Sequence, residues 1–397
     1  MPTYTLTNLQ ASINSLTPHI EERAFKYSMY AGALPSRVTV YSDMQGYNTR
    51  KVSEYFRTRR ATKLSEGVAY GEATAKRGRT YEVTPSEWGD SFPISERRIT
   101  TDLENIVGDV VEFLGDSLAM RKEKEMWKLL ISLANSGNTL SQSSNDYSIG
   151  YTVGMQQEFV KRAFTNEQVF TLLHPFQTKP VLKELVDLSK NADNVTRSAV
   201  RSWLIGGSGN LEVAEAPSMP RKVVYKLNIS ATSGTFKLRA GENADGVEQI
   251  TANITVSTTP ATMVTNIQNA LNALSLGTWA VSGSANNNLT VTPPATLYVD
   301  AEDELQIPRL ADGTLDAALT GGTVTIQERS ATALSPMFTR SALVLDVRTP
   351  CELTSEVDLQ KRVLLTYGRE VYGVSRWRDE RIYFLETKAD SEFAVGS

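Results

Sequence analysis

Apolar residues follow a helical period most clearly just beyond position 100. Leu103, Val107, Val110, Leu114 and Leu118 recur three or four residues apart, and Met126, Leu129, Leu130 and Leu133 carry the same stripe onward. Thr101-Asp102-Leu103-Glu104 has the form of a capping box, in which the first and fourth side chains satisfy orphan amide donors reciprocally. The pattern predicts a helix ending near Gly137. At roughly 35 residues it would be on the order of 50 Å long, far beyond the usual three turns and suited to a structural spine. A second helix is predicted over 150–164, with Met155, Phe159 and Val160 on one face. Gln168 to Leu173 reads as a buried strand, and Pro180 sits near the start of a helix carrying Leu182, Leu185, Val186 and Leu188.

The N-terminal part is less patterned. Residues 1–65 read as mostly extended, with one short helix from Pro18 to Tyr27. The stretch "EGVAYGEATAKRGRTYEVTPSEWGDSFPISE", from Glu66 to Glu96, is strand-like but holds no run that would bury a core. It predicts a projecting hairpin. Ala75 to Thr80 would form its tip, because Gly78 can adopt a positive φ in a turn. Thr80–Val83 and Phe92–Ile94 would form the return strand. An isolated hairpin is marginal in water, so its packing partner is expected on a neighbouring molecule. Strands are also expected at Ser341–Val347, Arg369–Trp377 and Arg381–Leu385.

Composition changes within residues 222–332, which are rich in Thr, Ser, Asn and Ala. This segment holds 6 basic and 10 acidic side chains, a net of −4; the rest of the chain holds 35 of each, so it accounts for the whole formal charge of −4. Thr251 to Val299 contains no charged residue. Strands are expected at Gly234–Arg239, Ile250–Val256, Thr278–Ser282, Leu289–Thr292 and Gly321–Gln327, with one helix over Ala261–Ala273 that carries Val264, Ile267, Ala270 and Leu271. That describes a small β-rich domain inserted into another fold.

The chain has 397 residues and a hydrophobic fraction of 41%, enough for an ordinary globular core. Its small net charge gives no reason to expect steering toward nucleic acid or an anionic membrane. Cys351 is the single cysteine, which excludes an intramolecular disulfide and a cysteine zinc site. No apolar run approaches the roughly 20 residues needed to span a bilayer, and "MPTYTLTNLQ" has neither the charged nor the apolar region of a secretory signal.

Catalytic motifs are lacking. Gly206-Gly207-Ser208-Gly209-Asn210 is followed by no Gly-Lys-Ser/Thr and is not G-x-S-x-G, so it reads as a plain turn. His174, beside Pro175 at a strand end, reads as structural. Asp300 to Glu304 lacks the spacing and glycine of an EF-hand and reads as a solvated loop. Lys76, Arg77 and Arg79 make a basic cluster without neighbouring stacking aromatics, which favours a protein contact or plain solvation over nucleic acid. Trp88 and Phe92 flank the hairpin exit; exposed, they would suit an interface, and buried, they would anchor its base.

In order and texture the chain resembles the major capsid proteins of tailed phages, the Hong Kong 97-type fold. "GVAYGEATAKRGRTYEVTPSEWGDSFPISERRITTDLEN" leading into "FLGDSLAMRKEKEMWKLL" is similar to that family's E-loop and spine helix. "QVFTLLHPFQTKPVLKELV" and "LEVAEAPSMP" look like its A-domain, and "LVLDVRTPCELTSEVDLQKRVLLTYGREVYGVSRWRDERIYFLE" like its closing strands. The resemblance implies an α+β fold. An N-terminal arm would occupy 1–60, the E-loop 61–97, and the P-domain with its spine helix 98–165. The first part of the A-domain would occupy 166–221, the insertion domain 222–332, and the closing strands with the C-terminus 333–397.

It implies a non-enzymatic subunit without cofactor or metal, self-assembling as hexamers and pentamers into an icosahedral head that encloses double-stranded DNA with weak, non-specific contact. It implies a virion protein, assembled in the host cytoplasm. A separate scaffolding protein is expected, since no N-terminal scaffolding region is visible, together with a portal and a decoration protein. Lys76, Arg77, Gly78, Arg79, Trp88 and Phe92 would make the intersubunit contact. Two other readings stay open: an encapsulin-like bacterial nanocompartment shell, and a carbohydrate-binding or carbohydrate-processing protein with a β-rich module.

Overall fold

The computed structural model describes residues 34–44, 46, 48–57, 75–95, 103–163, 167–190, 211–243, 245–310, 313–358 and 360–391. The expected helix at Pro18–Tyr27, the Thr101–Asp102 cap, the residues 66–74 of the expected hairpin and the Gly206–Asn210 turn lie outside them. In chain order the first strands are β1 (Thr39–Tyr41), β2 (Arg50–Arg57), β3 (Ala75–Val83) and β4 (Ser86–Ser95), followed by helix α1 (Leu103–Ser132). Next come β5 (Thr139–Gln142), α2 (Ile149–Ala163), β6 (Val169–Leu173), α3 (Pro175–Lys190), β7 (Leu211–Glu215), β8 (Arg221–Ile229), β9 (Ser233–Phe236), β10 (Arg239–Glu242), β11 (Glu248–Ile250) and β12 (Ile254–Thr255). The remainder is α4 (Pro260–Asn272), β13 (Ala280–Ser282), β14 (Leu289–Thr292), β15 (Ala317–Thr320), β16 (Val324–Thr339), β17 (Leu343–Asp358), β18 (Val363–Arg376) and β19 (Ile382–Lys388).

The chain divides into two compact units. The first comprises Met1–Leu133, Arg162–Val169 and Phe338–Ile382; the second comprises Ala134–Lys161, Phe170–Met337 and Tyr383–Ser397. In the first, a four-stranded sheet has the order β1-β17-β18-β4, with β1 parallel to β17 and the other pairs antiparallel. Helix α1 covers one face of this sheet. Val110, Leu114, Leu118, Met126 and Leu130 are buried, as the period predicts; Trp127, outside the predicted stripe, is buried as well, and Leu129 and Leu133 are half-buried. The helix approaches closely because position 368 is glycine: a Cβ there would stand 3.2 Å from Leu118 Cδ1 and 3.4 Å from Leu114 Cβ. The helix has 30 residues and ends at Ser132, short of Gly137. The Leu133 amide donates to Leu130 O in a tighter i to i−3 bond that closes the last turn.

The second unit carries an eight-stranded sheet in the order β13-β14-β8-β16-β19-β5, with β6 pairing β16 and β7. A three-stranded sheet, β12-β9-β15, and the β10-β11 pair lie in the same unit. Residues from Val223 to Ala331 enclose one hydrophobic core, centred on Tyr225, Leu227, Phe236, Met263, Ile267, Leu271 and Trp279. Strand β8 alternates buried and half-buried positions throughout, as a strand with one face on a core should. Helix α4 begins at Pro260, where a proline loses nothing because the first helical amide has no partner.

Strand β6 is buried at all five positions and leads through His174 into α3. That helix starts at Pro175, so Pro180 sits inside it and not at its start. A second signal outweighs Pro180: His174 O accepts the Gln177 and Thr178 amides, and Gln177 Oε1 accepts the His174 amide at 3.0 Å. Gln177 is fully buried, and its Nε2 also donates to Ala333 O and Thr387 Oγ1.

Candidate assembly surface

Strand β3 finds its partner upstream. It pairs antiparallel with β2, from Arg50 opposite Val83 to Arg57 opposite Ala75, in a two-stranded sheet of its own. This corrects the expected hairpin. Lys76, Arg77, Gly78 and Arg79 lie in the body of a strand, not at a tip, with Lys76 opposite Phe56 and Arg77 opposite Tyr55. The register shifts between Ser53 and Tyr55, so Gly78 and Arg79 together face Glu54, the two-against-one arrangement of a bulge. The expected single return strand is two strands: Thr80–Val83 belongs to β3, which pairs with β2, and Phe92–Ile94 belongs to β4, which pairs with β18. The run from β3 to β4 passes Thr84-Pro85, and β4 joins β18 over ten residues, from Ser86 opposite Tyr372 to Ser95 opposite Val363. Gly78 suggests a turn locally, but pairing is decided by β2, 18 to 33 positions upstream of β3, and for β4 by β18, about 280 positions away.

The base of the β2–β3 ribbon is held by packing and by charge. Val52 and Val83 are buried against Val344, with Tyr41 and Trp377 beside them. Asp346 Oδ2 accepts from Arg50 Nε at 3.0 Å and from Arg348 Nε at 2.8 Å. Arg348 also donates to Asn48 O at 2.8 Å, while Arg50 reaches Asp43 and lies over the Tyr41 ring. Both Asp346 and Arg348 side chains are fully buried. The cluster thus binds the loop before β2 and β2 itself onto β17.

Farther out, Arg79 Nη1 pairs with Asp379 at 3.2 Å, and the Tyr81 hydroxyl donates to the same carboxylate at 3.4 Å. Arg376 lies over the Tyr81 ring and reaches Asp379 at 3.6 Å. Trp88 stacks on Tyr372 at 6.4 Å, and the Arg121 guanidinium lies 4.2 Å above the Trp88 ring. Phe92 meets Phe113 of α1 edge to face at 5.3 Å. Both aromatics of β4 therefore fasten the strand to α1 and β18 within the chain. Beside them, Lys122 pairs with the buried Glu370, and burial, with Glu370 next, pushes the Tyr372 phenol up.

Asp379, Asp346 and Tyr372 had no distinguishing signal in the sequence. The roles of Asp379 and Asp346 come from contacts made 296 to 300 residues away by Arg79, Tyr81 and Arg50, and that of Tyr372 from Trp88, 284 residues away. Strand β8 was legible but unread: Val223, Tyr225, Leu227 and Ile229 alternate at period two.

The two other candidates from the sequence, His174 and the acidic run at Asp300 to Glu304, are held by contacts within the fold. Burial first, and the nearby Arg221 second, push the His174 imidazole down to about 3, and its Nδ1 accepts the Phe176 amide. Asp300 Oδ1 accepts the amides of Glu302 and Asp303, a turn that ties up the acidic run; Glu304 pairs with Arg221 and Asp303 with Arg239. Among the described residues, no group of three His, Cys, Asp or Glu side chains is arranged to hold a metal ion, and no helix is long and apolar enough to cross a membrane.

No protein-family model and no curated protein matches the chain. Among solved structures, it is similar to the capsid of Ralstonia phage GP4, with 10% identity, 89% of this chain and 88% of that chain covered, and a TM-score of 0.48. It is similar to the head structure of Helicobacter pylori bacteriophage KHP40 at 13% identity, covering 89% and 88%, with a TM-score of 0.46. The capsid structure of the cyanophage P-SCSP1u aligns at 8% identity over 90% of this chain and 89% of that one, with a TM-score of 0.45.

Proposed function

We propose that this chain is the major capsid protein of a tailed bacteriophage, a shell subunit of the Hong Kong 97 type that encloses double-stranded DNA. One observation carries the reading. A two-stranded ribbon hydrogen-bonded to no other sheet among the described residues is followed by β4, which joins the closing strands, and then by a 30-residue helix packed on those strands. A ribbon of that kind gains stability from a neighbour, and a chain with donor and acceptor surfaces on different sides propagates into closed shells. The work of such a protein is mechanical, and its energies are those of interfaces.

In this reading residues 1–60 are the arm, 61–97 the E-loop, 98–165 the P-domain with its spine, and 166–221 with 333–397 the A-domain and closing strands. Residues 222–332 are an insertion domain facing outward; their own enclosed core and charge-poor composition support this. Lys76, Arg77, Gly78 and Arg79 take part in the contact between subunits, with Trp88 and Phe92 bracing it from behind. Near-neutral charge outside the insertion suits a wall that holds DNA without gripping it. Scaffolding, portal and decoration proteins are the partners this role calls for.

Electron microscopy of the purified protein tests the proposal. Closed shells with packaged DNA are expected. Replacing residues 57–75 by an Asn-Gly turn should leave a folded, soluble subunit that forms none. Shells filled with a cargo enzyme instead of DNA would make the chain a nanocompartment subunit, and a parent chain that stays monomeric would overturn the shell reading altogether.

A further inference from the structure

Strand β8 buries its odd positions and leaves its even ones, Lys222, Val224, Lys226 and Asn228, half-buried. The odd side faces the core that α4 closes; the even side is the opposite face of the sheet. Cross-strand register extends that face sideways. Thr290 and Ser282 continue the row of Lys226 onto β14 and β13, and Gln327 continues it onto β16. Thr325 stands opposite Asn228, and Ser330 opposite Val224. Ser282, Thr325, Gln327 and Ser330 are exposed.

A bulge brings Arg329 to the same face. Glu328 stands opposite Tyr225 on the core side and Ser330 opposite Val224 on the other, so Arg329 is the extra residue between them. Its Nη1 donates to Thr290 Oγ1 at 2.5 Å, two strands away. That bond passes over β8 on the side that carries Lys226, because Thr290 and Lys226 are paired and share a face.

The strands of this face carry charge of one sign. Residues 222–332 hold six basic side chains and a net charge of −4. Off this face, Lys237 pairs with Asp316, and Arg239 with Glu248 and Asp303. Lys222, Lys226 and Arg329 form no ion pair among the described residues. Glu328 turns to the core side and pairs with Arg221. At the lower end, next to Thr332 and hence near Lys222, Glu386 of β19 is taken up by the hydroxyls of Ser141, Tyr298 and Thr332. An acidic domain thus gathers three of its six cations, unpaired, on one sheet face.

The side chains between the cations decide what fits there. Besides Val224 and Ala280 they are hydroxyls and amides, and the strands contribute no aromatic ring and no methionine to this side. Protein interfaces centre on such anchors, and single-stranded nucleic acid stacks on aromatic platforms. A hydrated polymer bearing hydroxyl and anionic groups needs neither. Cations meet its anionic groups in charge-assisted bonds, and Thr, Ser, Asn and Gln meet its hydroxyls. Lys222 and Lys226 are four residues apart on one strand, about 13 Å, so they suit separate charges along a chain and not a single small ion.

We propose that this face of the insertion domain binds an acidic polysaccharide, a carboxylated or sulfated glycan of a cell surface, through Lys226 and Arg329 with Lys222 beside them. This rests on the shell reading above, in which the domain faces outward, and adds adhesion to it.

Binding of the full-length protein, as free subunits and as particles, to immobilised alginate, dextran sulfate and uncharged dextran tests it. Binding to at least one acidic polymer and none to dextran is expected, weakening as salt rises. Lys226→Gln with Arg329→Gln should weaken it about tenfold or more, with thermal unfolding and particle yield as in the parent. Lys161→Gln with Lys183→Gln removes the same charge from exposed positions of α2 and α3 and should change it little. Unchanged affinity in the Lys226/Arg329 variant would overturn the proposal, as would equal losses in both variants. So would tighter binding to duplex DNA or polyglutamate than to either acidic polysaccharide, or binding by free subunits that particles lack. Whether the parent chain forms particles is read separately by microscopy and bears on the shell reading alone.

Discussion

A single buried histidine gives the second unit a pH dependence of defined sign. His174 is held near 3, against its ordinary 6.5, by burial and by Arg221. Between those values the unfolded chain takes up a proton that the folded one refuses. Stability contributed by the neutral imidazole is thus fully present above about pH 6.5 and is lost as pH falls toward 3, with a slope of at most about 1.4 kcal/mol per pH unit. Urea unfolding from pH 7 to pH 4 should show this slope, and His174→Gln should flatten it; an unchanged slope would place the pH dependence elsewhere. Glycines make the other residue-level test. A Cβ at position 373 would stand 2.8 Å from Thr84 O and 2.9 Å from Val83 Cγ1, contacts that backbone must move to relieve. Gly373→Ala is expected to cost about 1–3 kcal/mol. Gly154, inside α2, has nothing within 4 Å of its Cβ position, so Gly154→Ala should stabilise by about 0.5–1 kcal/mol.

Elements are joined by a few buried charges, and these decide where the ribbon is rigid. Asp346 answers both Arg50 of β2 and the fully buried Arg348 of β17. Asp346→Ala would leave the fully buried Arg348 guanidinium without a carboxylate, while Arg50 keeps Asp43. A loss of about 3–5 kcal/mol is expected in equilibrium unfolding, with early proteolytic cleavage near Arg50 and Lys51. A loss below about 1 kcal/mol would mean that water already reaches the cluster. Helix α1 was readable because apolar spacing at period 3.6 survives translation into burial at Val110, Leu114 and Leu118. The β3 partner was not readable. Gly78 and its basic neighbours have the local chemistry of a turn, while the bulge opposite Glu54 exists only once β2 has been brought alongside.

At the scale of the whole molecule, the composition boundary at residues 222–332 coincides with a core that runs from Val223 to Ala331. Residues 220–333 produced alone are therefore expected to unfold in one cooperative thermal transition. A gradual, non-cooperative loss of structure would show that β16 and β8 need the remaining strands of their sheet. The residues themselves determined the long helix, the strand-to-helix passage at His174, the compositional island and the absence of any catalytic motif. Each of these rests on local periodicity or on composition, which folding does not change. Tertiary structure decided the rest. It moved Lys76 to Arg79 from an imagined tip into a paired strand, and turned Trp88 and Phe92 onto α1. Those features depend on pairings between residues 18 to 33 positions apart for β2 with β3 and about 280 apart for β4 with β18, and strand pairing leaves no periodic trace of its partner in the sequence because backbone groups, alike at every position, make the bonds.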